Sequence, residues 1–191
     1  MKKNMLEIRW HGRGGQGAVT AAKIVADSCV VSGKFVQAFP EYGPERAGAP
    51  VKSFNRISSE PIFTHSQVRD PDVVLVLDPT LMDVVDVCEG LPEGGLLIVN
   101  TDREPAKVRS EFKIRDSVNL KTVDATGIAI KEFGKNIPNT PMIAALLRET
   151  DIVKLDDLIE NFKKKYSRKF KPEVIDANIR SMRSAYEGVK S

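Results

Sequence analysis

Cysteine is nearly absent from this chain, with two, Cys29 and Cys88, among 191 residues. An iron–sulfur cluster usually takes four thiolates at short spacing, and two distant thiols build neither a cluster nor a metal site alone. Any redox chemistry must be housed elsewhere. Each cysteine lies in an apolar stretch that reads as helical, where a reduced thiol packs like a small hydrophobe. Histidine is equally scarce, and His11 and His65 are the only side chains whose ordinary pKa lies near neutrality. No stretch reaches the roughly 18 apolar residues that span a bilayer. The start, Met1-Lys2-Lys3-Asn4, runs into Glu7 and Arg9 rather than into a signal-peptide core. The expectation is a cytoplasmic protein with no membrane partner. A dominant charge sign is lacking too: 29 basic and 26 acidic residues leave a net charge of +3, which demands no nucleic acid.

With 41% hydrophobic residues, the chain can bury one good core and is too short for two of ordinary size. Residues 5–11 alternate Leu6, Ile8 and Trp10 with Glu7, Arg9 and His11, which predicts a strand buried on one face only. Ala18–Ser32 is a helix apolar nearly all round, ended by Gly33, and Lys34–Phe39 is a second strand. Together they have a βαβ signature. Residues 40–50 carry three prolines and two glycines and break all periodicity, so they form an ordered loop. Val51–Ile57 alternates as a strand, with Pro61–Thr64 as a hairpin partner. Val73–Asp78 and Leu96–Asn100 are apolar runs expected to be strands buried on both faces. Thr80–Glu89 reads as a short helix, Leu120–Asp124 as a strand, and Ala125–Phe133 and Thr140–Glu149 as helices, with Pro141 in the first turn.

Two stripes follow at helical spacing, Leu155, Leu158, Ile159, Phe162 and Ile175, Ile179, Met182, Tyr186. The reading is a single α/β domain over 1–191. It has three layers around a mostly parallel sheet, a Rossmann-like start, a core at 5–150, and helices at 151–191 as a C-terminal extension.

His11-Gly12-Arg13-Gly14-Gly15-Gln16-Gly17 follows a strand and opens a helix, and its glycines satisfy G-x-G-x-x-G. Free N–H groups and the helix dipole there suit a phosphate, and Arg13 adds a charge-assisted contact. Equally, the glycines serve a tight turn and close packing of helix on sheet. A dinucleotide site needs an acid at the end of the second strand, and only Glu41 is near, inside the irregular loop. That weighs against a free-standing nicotinamide-dependent dehydrogenase, as does the chain's length. A nucleotide-binding regulatory module would leave the 40–51 loop unexplained. Lys163, Lys164, Lys165, Arg168, Lys169 and Lys171 crowd the junction of the last two helices, ordinarily a solvated face, with no nucleic-acid motif beside them. His65 reads as a surface residue, and Trp10 as a core or interface aromatic.

The Gly12–Gly17 element, taken with Tyr42-Gly43-Pro44-Glu45-Arg46-Ala47-Gly48-Ala49-Pro50-Val51, resembles the gamma subunit or gamma domain of pyruvate and related 2-oxoacid:ferredoxin oxidoreductases. The similarity extends over about residues 5–150, to Asp72, Asn100 and Asn139-Thr140-Pro141-Met142. The form of the loop resembles pyruvate and branched-chain 2-oxoacid enzymes within that family, and pyruvate is the first reading. Ala47 stands where many relatives carry a second arginine, and Ala144–Ala145 where many have Gly–Ala, so roles tied to those positions do not transfer. The resemblance implies a complex in which thiamine diphosphate with magnesium attacks the 2-oxo acid, [4Fe–4S] clusters pass electrons to ferredoxin, and coenzyme A takes the acyl group. These cofactors are expected on alpha, beta and delta subunits, with no catalytic residue and no metal on this chain. Gly12, Arg13, Gly14, Gly15, Gln16 and Gly17 are its candidates for the phosphates of coenzyme A. Tyr42, Gly43, Glu45 and Arg46 are its candidates for subunit contact, with Glu45 and Arg46 as an ion pair that either pins the loop against a neighbouring subunit or holds its own loop in place.

Overall fold

The computed structural model describes residues 5–41 and 48–191. The strands are β1 (Met5–Arg13), β2 (Phe35–Glu41), β3 (Pro50–Ser58), β4 (Val73–Val76), β5 (Leu96–Asn100) and β6 (Asn119–Val123). The helices are α1 (Ala18–Val31), α2 (Pro105–Glu111), α3 (Ala125–Phe133), α4 (Asn139–Glu149), α5 (Leu155–Tyr166) and α6 (Pro172–Glu187). One sheet orders the strands β2-β3-β1-β4-β5-β6. β1, β4, β5 and β6 pair in parallel, while β3 lies antiparallel to both β1 and β2. β2 therefore runs in the same direction as β1 without touching it. The expected βαβ unit has the right strand directions but takes a third strand between its two, because β3 returns into the gap.

Residues of β4 and β5 alternate between two cores, as a period of two requires. Val73, Leu75, Leu96 and Ile98 face a large core filled by α1, α4, α5 and α6. Val74, Val76, Leu97 and Val99 face a smaller one closed by Val87, Leu91, Val108 and Ile114. The layers are thus three but unequal. The C-terminal helices are integral to the larger core, with Leu158, Phe162, Met182 and Ala185 at most 3% exposed. α1 is covered by the sheet, α4 and α5, and leaves Val30 and Val31 open at its end.

Three expectations are corrected, and one helix is added. Residues 61–64 form no strand: both edges of β3 are taken, by β1 and β2, so a hairpin partner has nowhere to pair. Thr80–Glu89 is not an α-helix but a 3₁₀ turn at Pro79–Asp83 followed by irregular turns, which also carry Cys88. Side chains there capture the backbone groups a helix would use. Asp78 accepts from Thr80 N, Asp86 accepts from Cys88 N, and Arg9 donates to the carbonyls of Val87 and Glu89. The face of β1 carrying Glu7, Arg9 and His11 is buried, not half-exposed. Finally, α2, with Pro105 at its first turn, had no counterpart in the sequence reading, since seven residues show too little periodicity.

Candidate functional site

β1 and β4 are parallel neighbours whose chains leave on opposite faces of the sheet, β1 into α1 over the large core and β4 into the turns of the small one. In open α/β sheets the crevice beyond the carboxyl ends at such a switch point is where ligands bind. Here the crevice is occupied by the Gly12–Gly17 turn and by Asp78–Thr80.

Three glycines of the turn are required by backbone conformation or by close packing. Gly15 (φ 97°) and Gly17 (φ 84°) adopt the left-handed backbone that other residues resist. A Cβ on Gly17 would stand 2.7 Å from Asn139 Nδ2, and one on Gly12 would stand 3.2 Å from the Ala18 Cβ. Gly12 and Gly17 thus let α1 and α4 approach the strand end.

Gln16 closes the turn on itself, its Oε1 accepting from Arg13 N at 2.8 Å while its Nε2 donates to Asp78 at 2.9 Å. Arg13 spreads its guanidinium over Asp78 (3.2 Å), the Thr80 hydroxyl (2.9 Å) and the Gly48 carbonyl (3.2 Å). Gly14 N donates to Ala49 O at 3.0 Å. The two motifs that lie apart in sequence are therefore tied together by direct bonds. Burial raises the Asp78 pKa, but hydrogen bonds from Thr80 and Gln16 and the Arg13 charge outweigh it and hold the carboxyl below its usual range.

Beside this cluster Asn100 ends β5, donating to Leu77 O (2.7 Å) and Thr126 Oγ1 (2.8 Å) and accepting from Thr126 N. Asp78, Thr80 and Thr126 were not singled out from sequence. The available signal was a polar residue directly after an apolar strand, at the end where such sheets place their sites.

Tyr42, Gly43, Glu45 and Arg46 lie outside the described residues. Glu41, the acid a dinucleotide would need, ends β2 and faces Lys52 at 4.0 Å. With β3 interposed between β2 and β1, it is no neighbour of the glycine turn, and a nicotinamide site is not formed.

His11, Cys29 and Cys88 are unsuited to proton or electron chemistry. His11 has its pKa lowered to about 3, by burial first and then by the charges of Arg9 and Lys52. It is not the neutral-pH base its residue type implied. Its Nε2 and Arg9 Nε have no hydrogen-bond partner among the described residues. His65 is exposed in an irregular segment. Burial pushes Cys29 up to about 11 and also raises Cys88, so neither is a ready thiolate. Among the described residues no group of three or more His, Cys, Asp or Glu is placed to hold a metal ion. The described residues do not fit a cluster or a magnesium ion. For a phosphate the fit is partial: the N–H groups of Arg13, Gly14 and Gln16 are engaged and Arg13 is matched by Asp78, while Gly15 N and Gly17 N have no partner among the described residues.

Comparison with known proteins settles the lineage. The family described as pyruvate ferredoxin/flavodoxin oxidoreductase matches residues 7–188. The chain belongs to that family. It is 48% identical over 188 residues to the pyruvate synthase subunit PorC of Thermotoga maritima, covering 98% of this chain and 96% of the other. It is 47% identical over 183 residues to the pyruvate/ketoisovalerate oxidoreductases common subunit gamma of Thermococcus litoralis, covering 96% of each. The crystal structure of the pyruvate oxidoreductase subunit PORC from Thermotoga maritima superposes with a TM-score of 0.84 at 46% identity, over 98% of both chains. This member of the pyruvate ferredoxin/flavodoxin oxidoreductase family thus matches its solved relative from end to end, C-terminal helices included. No helix among the described residues is long and apolar enough to cross a membrane.

Proposed function

We propose that this chain is the gamma-type, non-catalytic subunit of a cytoplasmic complex that oxidatively decarboxylates pyruvate to acetyl-CoA and carbon dioxide, with ferredoxin as electron acceptor. The observation that carries this reading is end-to-end similarity to proteins named as pyruvate synthase and pyruvate/ketoisovalerate oxidoreductase subunits. The chemistry of the side chains supports it. His11 is a buried neutral imidazole and both thiols are protonated, so none of the three supplies a thiolate or a neutral-pH base to the reaction. Thiamine diphosphate, magnesium and [4Fe–4S] clusters accordingly belong to the alpha, beta and delta subunits.

In this reading the role of residues 12–17 is architectural. Arg13, Gln16 and Asp78 brace the base of the loop whose Tyr42, Gly43, Glu45 and Arg46 meet a neighbouring subunit. A second role, contact of Gly12–Gly17 with the phosphates of coenzyme A, is favoured by the position of the turn at the switch point. Gly15 N and Gly17 N are the donors that remain for it.

The test is anaerobic affinity purification of the chain from its own cells. Co-purifying chains that carry iron and thiamine, with coenzyme A-dependent dye reduction by pyruvate, is the expected result. A lone colourless chain overturns the assignment. Within the complex, Asp78→Asn separates the two roles of the turn. If it is architectural, recovery of partner chains falls while the KM for coenzyme A in the remaining complex is unchanged. If it binds phosphate, removing the nearby negative charge lowers that KM.

A further inference from the structure

Between α1, the α3–α4 connection, α5 and α6 lies a cavity of about 370 Å³. Ile24, Phe162, Tyr166, Phe170 and Val174 form its apolar walls, and Lys135 lines it as well. Three of the rings are spaced four residues apart and form a ladder. Phe162 and Tyr166 have centroids 4.8 Å apart, and Tyr166 and Phe170 stack at 5.7 Å with planes 13° from parallel. The ladder is not closed over. Phe170 is 46% exposed, Val174 41% and Ile137 36%. The cavity is at the small end of the range for ligand pockets, with room for one or two side chains rather than an extended cofactor.

The ground around it is basic. Lys163, Lys164, Lys165, Arg168, Lys169 and Lys171 outnumber Glu173 and Asp176 over this stretch. Among the described residues only Lys165 of the six has an ion-pair partner, Asp27. Lys169 Nζ stands 6.0 Å from the centre of the Tyr166 ring, which brings cationic charge onto the ladder itself. Consecutive lysines are ordinarily just a solvated face. Here Lys135 lines the half-open aromatic cavity and Lys169 lies against its ladder, and an apolar pocket flanked by charge of one sign is how an anchor residue is recognised and the wrong partner rejected. A neutral or basic segment would bring its anchor against unpaired positive charge.

We propose that this groove docks an acidic segment of a partner protein, which inserts one apolar or aromatic side chain onto the Phe162–Tyr166–Phe170 ladder while its carboxylates meet Lys169 and Lys171. Asn139 lines the groove and also abuts Gly17, so the docked segment lies next to the turn at the end of β1. The inference holds whichever 2-oxo acid the complex uses, and rests on the assignment only for the identity of the partner chain.

The test replaces Phe170 with photoreactive benzoylphenylalanine in the full chain, assembled in its complex, and identifies the cross-linked peptide by mass spectrometry. The expected product is a partner-chain peptide of net negative charge, cross-linked at an apolar or aromatic residue. Its yield falls about tenfold or more with Lys169→Glu/Lys171→Glu and in high salt. All three positions are exposed, so the fold tolerates these changes. A neutral or basic peptide, a yield indifferent to the charge reversal, or no cross-link from an assembled complex overturns the proposal. If no complex is recovered, the functional assignment fails by itself, and the labelled chain is then offered a synthetic peptide of glutamates flanking a central phenylalanine. Absence of labelling there overturns the docking site.

Discussion

β4 buries an apolar residue at all four of its positions and β5 at four before Asn100. One and two steps across the same sheet, β1 and β3 bury Glu7, Arg9, His11, Ser53, Asn55 and Arg56. The polar flank is nearly as inaccessible as the apolar one because most of its groups are matched, His11 Nε2 and Arg9 Nε excepted. Arg56, 1% exposed, pairs with Glu7 at 2.8 Å and donates to the carbonyls of Thr64 and Ser66. Asn55 accepts from Trp10 Nε1 at 2.9 Å and donates to Ala22 O at 2.8 Å, and Ser53 donates to Ala18 O. The difference teaches that alternation along a strand reports its period, not which face meets water. It also separates two kinds of stability, one that depends on volume and one that depends on partnership.

The largest expected effect comes from breaking a partnership. Arg56→Ala breaks the buried pair with Glu7 and takes the donor from the Thr64 and Ser66 carbonyls, and should cost about 3–5 kcal/mol in urea denaturation of the full chain, whereas Glu7→Gln with Arg56→Met should recover much of that loss. Equal losses in the single and double variants would mean that packing, not pairing, holds the flank. Leu97→Ala on the apolar side should cost about 3 kcal/mol by the same assay, through lost transfer energy and the cavity left behind. Asn55→Ala strands the Trp10 N–H and takes the second donor from the Ala22 carbonyl, and should cost about 2 kcal/mol. A much smaller loss would show that water reaches these groups.

The remaining effect is one of pH. The fold keeps His11 neutral, with a pKa moved from 6.5 to about 3. The stability this contributes is complete above the unfolded value and is lost as pH falls from about 6.5 toward 3, because below 6.5 the unfolded chain takes up a proton that the folded chain refuses. His11→Gln should therefore flatten the decline in denaturation midpoint between about pH 7 and pH 4.5. A slope unchanged from the parent would assign the decline to carboxylates instead.

Much of the fold was legible because its signals are local. The apolar runs at 73–78 and 96–100, the helix of residues 125–133 and the two C-terminal stripes all appear where their periods place them. The glycine turn was also legible, since a strand, four glycines and a helix in succession leave few geometries. What escaped notice depended on contacts far apart in sequence. The segment after Asp78 reads as a helix until Arg9, more than seventy residues earlier, takes its carbonyls. Arg13 reads as a phosphate ligand until Asp78 and Thr80 are placed against it.

The sequence by itself determined the element types, their order and the family resemblance, because helical and strand periods, proline and glycine stops and short motifs are properties of neighbouring residues. Only the tertiary structure decided that β3 enters between β1 and β2, that a charged strand face is buried, and that an aromatic ladder stays open beside a run of lysines. Each of these is set by which distant surface arrives to satisfy a hydrogen bond, neutralise a charge or exclude water, and no local pattern carries that information.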